Sequence, residues 1–194
     1  APSLAVGKAK REQRLYAILA EWLTSKDYQA EDTSSKKNGG AWGNPDVVGI
    51  KAEEIVGGTS WLELVSIEAK VSSNNWRKLV FEAVAHKRFA DRAYFAFSHG
   101  TDEPLVANIP DFTELREYGE KYRVGIVVVF MSTEQYGTLV SEDATAVSEL
   151  SLDDVRVEEV WPAVCDPVSP LTRDRFLRDV LGITTVKGLH EFGA

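Results

Sequence analysis

The chain has one cysteine, Cys165, in 194 residues. No internal disulfide can form, and zinc sites built from several cysteines are excluded. A reducing compartment, the cytoplasm, is the expected setting. Cys165 sits between an apolar stretch, Ala163-Val164, and a proline-rich one that starts with Asp166-Pro167, which favours an inert, packed thiol over a nucleophile. Histidine is also scarce: His86, His99 and His190 show no HExxH spacing. There is no Walker loop, no glycine-rich dinucleotide fingerprint and no Gly-x-Ser-x-Gly elbow. Apolar runs are short. The longest, 124–131, is less than half of the ~20 residues that a membrane helix needs, and no basic-then-apolar leader is visible. No membrane partner is expected.

Hydrophobic residues are 44% of the chain and charged residues 27%, the mix of a globular protein. The net charge of −8 is unevenly placed. Residues 1–100 hold 14 Lys+Arg against 12 Asp+Glu, whereas residues 101–194 hold 8 against 18. The near-neutral first half can accept a phosphate-bearing partner, and the acidic second half suits a basic protein surface.

A helix is expected from about residue 8 to 24, because Leu15, Ile18, Leu19, Trp22 and Leu23 form one stripe. The polar stretch 32–40 reads as a mobile loop. Strands are expected from Asp46 to about Ile55 and from Trp61 to Val71, joined at Gly57-Gly58 as a hairpin. Asn74-Asn75 can cap a helix to about Ala90. A short strand at 94–97, a helix from Pro110-Asp111 to Tyr122 and an apolar strand at 124–131 follow. Further on, an edge strand at 155–164 and a helix at 172–181 are expected. This order is α/β with a mixed sheet. One domain is expected, with a core at about 8–131 and an acidic extension at about 132–194.

The chemistry-bearing segment is 61–71. Leu62, Leu64, Ser66, Glu68 and Lys70 share one face of the strand, and Val65, Ile67, Ala69 and Val71 the other. Both faces are largely apolar, as in an interior strand, yet its end carries a carboxylate and an ammonium. Placing them there is costly unless they pair, meet a metal or reach water. Counted from the Gly57-Gly58 turn, Asp46 lies about 11 positions back and Glu68 about 10 forward, so the hairpin makes them neighbours. Two carboxylates and a main-chain carbonyl suit a hard divalent cation such as Mg²⁺. Lys70 can orient or help deprotonate an attacking water, or neutralise phosphate.

Pro45-Asp46, followed after 21 intervening residues by Glu68-Ala69-Lys70, resembles the signature of the PD-(D/E)XK nuclease superfamily. The resemblance spans roughly residues 8–97. It implies a restriction-endonuclease-like αβββαβ core, with a central mixed sheet flanked by helices. It also implies metal-dependent phosphodiester hydrolysis, with Asp46, Glu68 and the Ala69 main chain on Mg²⁺ (Mn²⁺ substituting) and Lys70 as the motif lysine.

Many members place a further glutamate on the helix before the first strand. Taking ~100° per residue, Glu12 falls about 60° from Leu15 at the margin of the stripe, and Glu21 falls about 240° away, toward solvent. Glu12 is therefore the fourth site candidate, as a metal ligand or holder of metal-bound water. In the helix after the motif, Glu82, His86 and Lys87 stand where parts of the superfamily carry a glutamine. His86 and Lys87 are also candidates for nucleic-acid contact, Lys87 by reaching past Ala83 toward a substrate phosphate. Lys36, Lys37 and Trp42 precede Asp46 and could touch a nucleic-acid backbone or stack on a base.

Each residue also has a plainer reading. Glu68 and Lys70 can be an exposed ion pair, Asp46 a turn cap and Glu12 a complement to the helix dipole. His86 and Lys87 can be surface or snorkelling side chains, and Trp42 a packed loop aromatic. The Arg173, Arg175 and Arg178 cluster reads as a solvated face. The expectation is a Mg²⁺-dependent nuclease, endonuclease before exonuclease, acting on DNA before RNA, with homodimerisation open. The rivals are an inactive nuclease-like scaffold that binds a protein or nucleic acid, and one module of a larger restriction, repair or defence protein.

Overall fold

A computed structural model describes residues 3–36, 42–55, 59–100, 111–141 and 150–194. The chain is α/β: one six-stranded mixed sheet carries helices on both faces. The order along the chain is α1 (Ser3–Thr24), β1 (Gln29–Asp32), β2 (Val47–Ile55), β3 (Thr59–Lys70), α2 (Trp76–His86), β4 (Arg92–Gly100), α3 (Phe112–Tyr122) and β5 (Gly125–Met131). Then come α4 (Thr133–Val140), a 3₁₀ turn (Leu152–Asp154), β6 (Arg156–Trp161), α5 (Pro170–Asp179) and α6 (Val186–Glu191). In space the strands follow chain order, β1 to β6. The β3–β4 and β4–β5 pairs are parallel and the others antiparallel.

The two faces follow from strand alternation. Val47, Val65, Ile67 and Ala69 face α1, where Leu15, Ile18, Leu19 and Trp22 complete the core, joined by Leu139 of α4. On the opposite face Phe95, Phe97, Ile126 and Val128 pack under Trp76, Val80 and Leu115 of α2 and α3. Beside them Val48, Ile50 and Leu64 are covered by Phe176, Leu177 and Val180 of α5. The C-terminal segment thus closes the sheet face over β2. Strand β3, covered on both sides, is the interior strand that its apolar pattern indicates.

Several sequence expectations change. Of the polar stretch 32–40 only Asp32 is in a strand; 33–36 are turn and irregular chain, and 37–40 lie outside the described residues. Gln29–Asp32 pairs with β2 as an edge strand, and Thr33 is fully buried. The segment is short and polar because an edge strand faces water on one side. Asn75 precedes α2 with φ 61° but makes no side-chain cap bond, and the helix stops at His86 rather than Ala90. The strand around 94–97 is longer, 92–100. Helix α4 is set by a capping box between Ser132 and Gln135, a signal in the sequence that its weak apolar stripe conceals. The Gly57-Gly58 turn lies outside the described residues. Among those described, no helix is long and apolar enough to cross a membrane.

Arg173 is not on a solvated face. It donates from Nη2 to Asp91 Oδ1 at 2.7 Å, with its side chain 15% exposed. Asp91 also accepts from the main-chain N–H of Leu64 (2.7 Å) and of Val168 (3.0 Å), tying α5 to β3. Removing one partner of such a buried pair leaves an uncompensated charge. Asp91→Ala is therefore expected to lower unfolding free energy by about 3 kcal/mol in urea titration; a loss below ~1 kcal/mol would mark the staple as dispensable.

Candidate active site

The site lies at the carboxyl end of β3, the end of a parallel strand where α/β sheets place ligand crevices. The β2–β3 ladder sets its geometry. Val47 pairs with Ile67 and Val48 with Ser66, so the next step outward puts Asp46 across from Glu68 with no bulge between them. Asp46 is held from two sides. Thr33 fixes the chain before it, its N–H donating to the Asp46 carbonyl at 2.9 Å and its hydroxyl to the Pro45 carbonyl at 2.6 Å. The Ala69 N–H donates to Asp46 Oδ2 at 2.8 Å, and the Tyr16 hydroxyl of α1 donates to the same carboxylate. Ala69 therefore enters the site through its amide as well as its position between Glu68 and Lys70.

Glu68 and Lys70 project from the same face of β3. Lys70 Nζ donates to Glu68 Oε1 at 2.6 Å and to Glu82 Oε2 of α2 at 2.8 Å. Glu68 and Glu82 are themselves hydrogen-bonded. His86, one helical turn beyond Glu82, brings Nε2 to 3.8 Å from Glu68 Oε2. Its Nδ1 is buried without a hydrogen-bond partner among the described residues. Glu12 and Lys70 border a notch of about 330 Å³ that opens this strand end to solvent. Asp46, Glu68, Ala69, Lys70 and Glu12 are thus gathered in one region, with Glu82, His86 and Tyr16 around them.

The other candidates lie elsewhere. Lys87 turns to the C-terminal segment, pairing with Asp166 at 2.8 Å and donating to the Val164 carbonyl at 3.0 Å. Trp42 packs edge-on against Phe89 and Phe176 and donates to Asp179, the packed-aromatic arrangement. Lys36 pairs with Glu31 of β1 at 3.4 Å. Lys37 lies outside the described residues.

Burial controls the protonation of the cluster. Desolvation raises Asp46 to about 6, although the Ala69 and Tyr16 bonds pull the other way. Burial, then the Asp46 charge and the bond to Glu82, raise Glu68 to about 9 against the pull of Lys70. Burial also pushes Glu82 up, but its bonds to Glu68 and Lys70 outweigh this and hold it below the usual range. Burial lowers Lys70, and the Glu68 and Glu82 carboxyls more than reverse that, so it stays an ammonium. Burial lowers His86 to about 4, leaving it neutral at pH 7.

Three carboxyls, Asp46, Glu68 and Glu82, face one lysine. Without another cation, the cluster sheds charge by keeping a proton on Glu68. Among the described residues no three His, Cys, Asp or Glu side chains make a ready-formed metal cage. Mg²⁺ does not require one: it takes one or two carboxylates and keeps several waters. Hard oxygen donors with excess negative charge are a chemical match for such an ion.

Tyr16 is the residue that the sequence reading misses. It stands four positions after Glu12, and i,i+4 spacing puts both on one face of α1; that spacing is the available signal. No protein-family model matches the chain, and comparison with curated proteins and solved structures also gives no match.

The shifts have a definite sign. In the unfolded chain Glu68 ionises near 4.5 and in the fold near 9; for Asp46 the values are 3.8 and about 6. Both folded values are raised, and together they outweigh the proton that His86, lowered to about 4, gives up below about 6.5. The native state therefore binds more protons, and stability falls as pH rises between about 4 and 9. In EDTA, the thermal midpoint is expected to fall from pH 5 to pH 9. Glu68→Gln should flatten most of that slope above pH 6 and melt higher than wild type at pH 8. A wild-type midpoint that rises over this window would contradict the assignment.

Proposed function

We propose that the chain is a divalent-metal-dependent nuclease with a restriction-endonuclease-like fold, hydrolysing phosphodiester bonds, with DNA as the favoured substrate. The observation that carries this reading is the ladder register that sets Asp46 opposite Glu68, with Lys70 on the same face two residues on. A buried acid pair built only for stability would be a poor choice, because apolar residues of similar size serve as well or better.

Asp46 and Glu68 are the residues that would hold Mg²⁺ or Mn²⁺, with the Ala69 main chain and Glu12 at the edge of the shell. The cation, when bound, supplies Lewis-acid activation of water and stabilises charge developing on phosphate. Lys70 is held as an ammonium by two carboxyls. It is therefore suited to donate hydrogen bonds to a phosphate oxygen or an attacking water, and poorly suited to take a proton. The Ala69 N–H and the Tyr16 hydroxyl orient the Asp46 carboxylate. His86, neutral at pH 7, is a further polar neighbour of Glu68 beside Lys70 and Glu82, and adds no positive charge to the cluster.

With Mg²⁺ or Mn²⁺ supplied, wild type is expected to cleave DNA, and Asp46→Asn and Lys70→Ala are each expected to lose at least about 100-fold in rate. Circular dichroism should show both variants folded. Cleavage kept at wild-type rates in both would refute the nuclease reading.

A further inference from the structure

The notch beside Lys70 bears on the form of substrate. Among the described residues its walls come from four elements: Arg11 of α1, Lys70 and Asn74 at and after the end of β3, Leu79 of α2, and Tyr136 and Val140 of α4. Its volume, about 330 Å³, is at the small end of the ~300–1,000 Å³ typical of ligand pockets. The walls are of two chemical kinds. Leu79, Val140 and the Tyr136 ring offer apolar faces; Arg11, Lys70 and Asn74 offer positive charge or hydrogen bonds, and Glu12, the candidate at the edge of the metal shell, adds a carboxylate. Lys70 is recessed, with its side chain 13% exposed, and Glu68 lies 2.6 Å beyond it at 7%.

Tyr136 is held firmly. The Ser132–Gln135 capping box fixes the start of α4, and the Tyr136 ring lies so close over Gly100 that a Cβ there would collide with it. It is a rigid surface on which a base can stack.

A phosphodiester inside a duplex lies on a wide cylinder, whose major groove alone is about 12 Å across. Such a cylinder cannot enter a notch of about 330 Å³, inside which Lys70 is only 13% exposed. An unpaired strand can turn one base out of its stack and insert it. We propose that the substrate is an unpaired nucleic-acid strand, one nucleotide of which enters between Tyr136 and Leu79 while its phosphate meets Lys70. This rests on the nuclease reading above and narrows it.

The test uses a fluorescein-labelled DNA of about 20 nucleotides, longer than one typical single-strand site, as a single strand and as a blunt duplex. Binding is followed by anisotropy in EDTA and cleavage in Mn²⁺. The single strand is expected to bind and to be cut at least tenfold better than the duplex. Tyr136→Ala should weaken single-strand binding about tenfold or more. Asn74→Glu, at an exposed rim position, should do the same without lowering the thermal midpoint. Equal or better binding and cutting of duplex, abolished by Lys70→Ala, would overturn the single-strand inference and leave the nuclease reading standing. Unchanged single-strand binding in both notch variants would also overturn the inference. Failure to cut either form would overturn both.

Discussion

Two carboxylates set against each other at the end of a covered strand are the constraint on which the rest of the site depends. Asp46 and Glu68 are each less than a tenth exposed, and like charges so placed repel strongly where water is scarce. Around them the chain supplies donors: the Ala69 N–H and Tyr16 hydroxyl for Asp46, and the Lys70 ammonium for Glu68. These donors lower the cost without removing it, and so Glu68 retains a proton far above the usual range. A cation at that place would relieve what the protein's own groups leave unrelieved.

The fold exists around this strand end in a definite way. The parallel β3–β4 pair requires a crossover, and α2 provides it. The same helix delivers Glu82 and His86 to Glu68 one turn apart. Helix α1 buries Leu15, Ile18 and Leu19 against the other sheet face, and its Glu12–Tyr16 pair reaches the strand end from that side. Helices α1 and α2 thus flank the site from opposite faces. The C-terminal segment serves stability at a distance. Asp91 gathers Leu64, Val168 and Arg173, and Lys87 and Arg123 both hold Asp166.

Much of this is legible in the sequence where periodicity and burial act together. The stripe of α1 and the two-faced apolar pattern of β3 identify those elements directly, and counting outward from a turn places Asp46 by Glu68 because the ladder has no bulge between β2 and β3. Elements held by other means are harder to read. Strand β1 is four residues of polar edge, and α4 presents only Leu139 as a fully buried side chain. Long side chains are the least legible. His86 and Lys87 are adjacent in sequence and near one edge of the same apolar arc, yet one turns inward to Glu68 and the other toward Asp166. Only the position of the C-terminal segment decides between those directions, and no local pattern encodes it.

The central claim is that Asp46 and Glu68 form a divalent-cation site, and anomalous scattering from a crystal soaked in Mn²⁺ tests it most directly. The account predicts a peak within bonding distance, ~2.0–2.4 Å, of oxygens from both carboxylates. Saturating Mn²⁺ with no peak between them, or ordered metal only at other places on the surface, would contradict it.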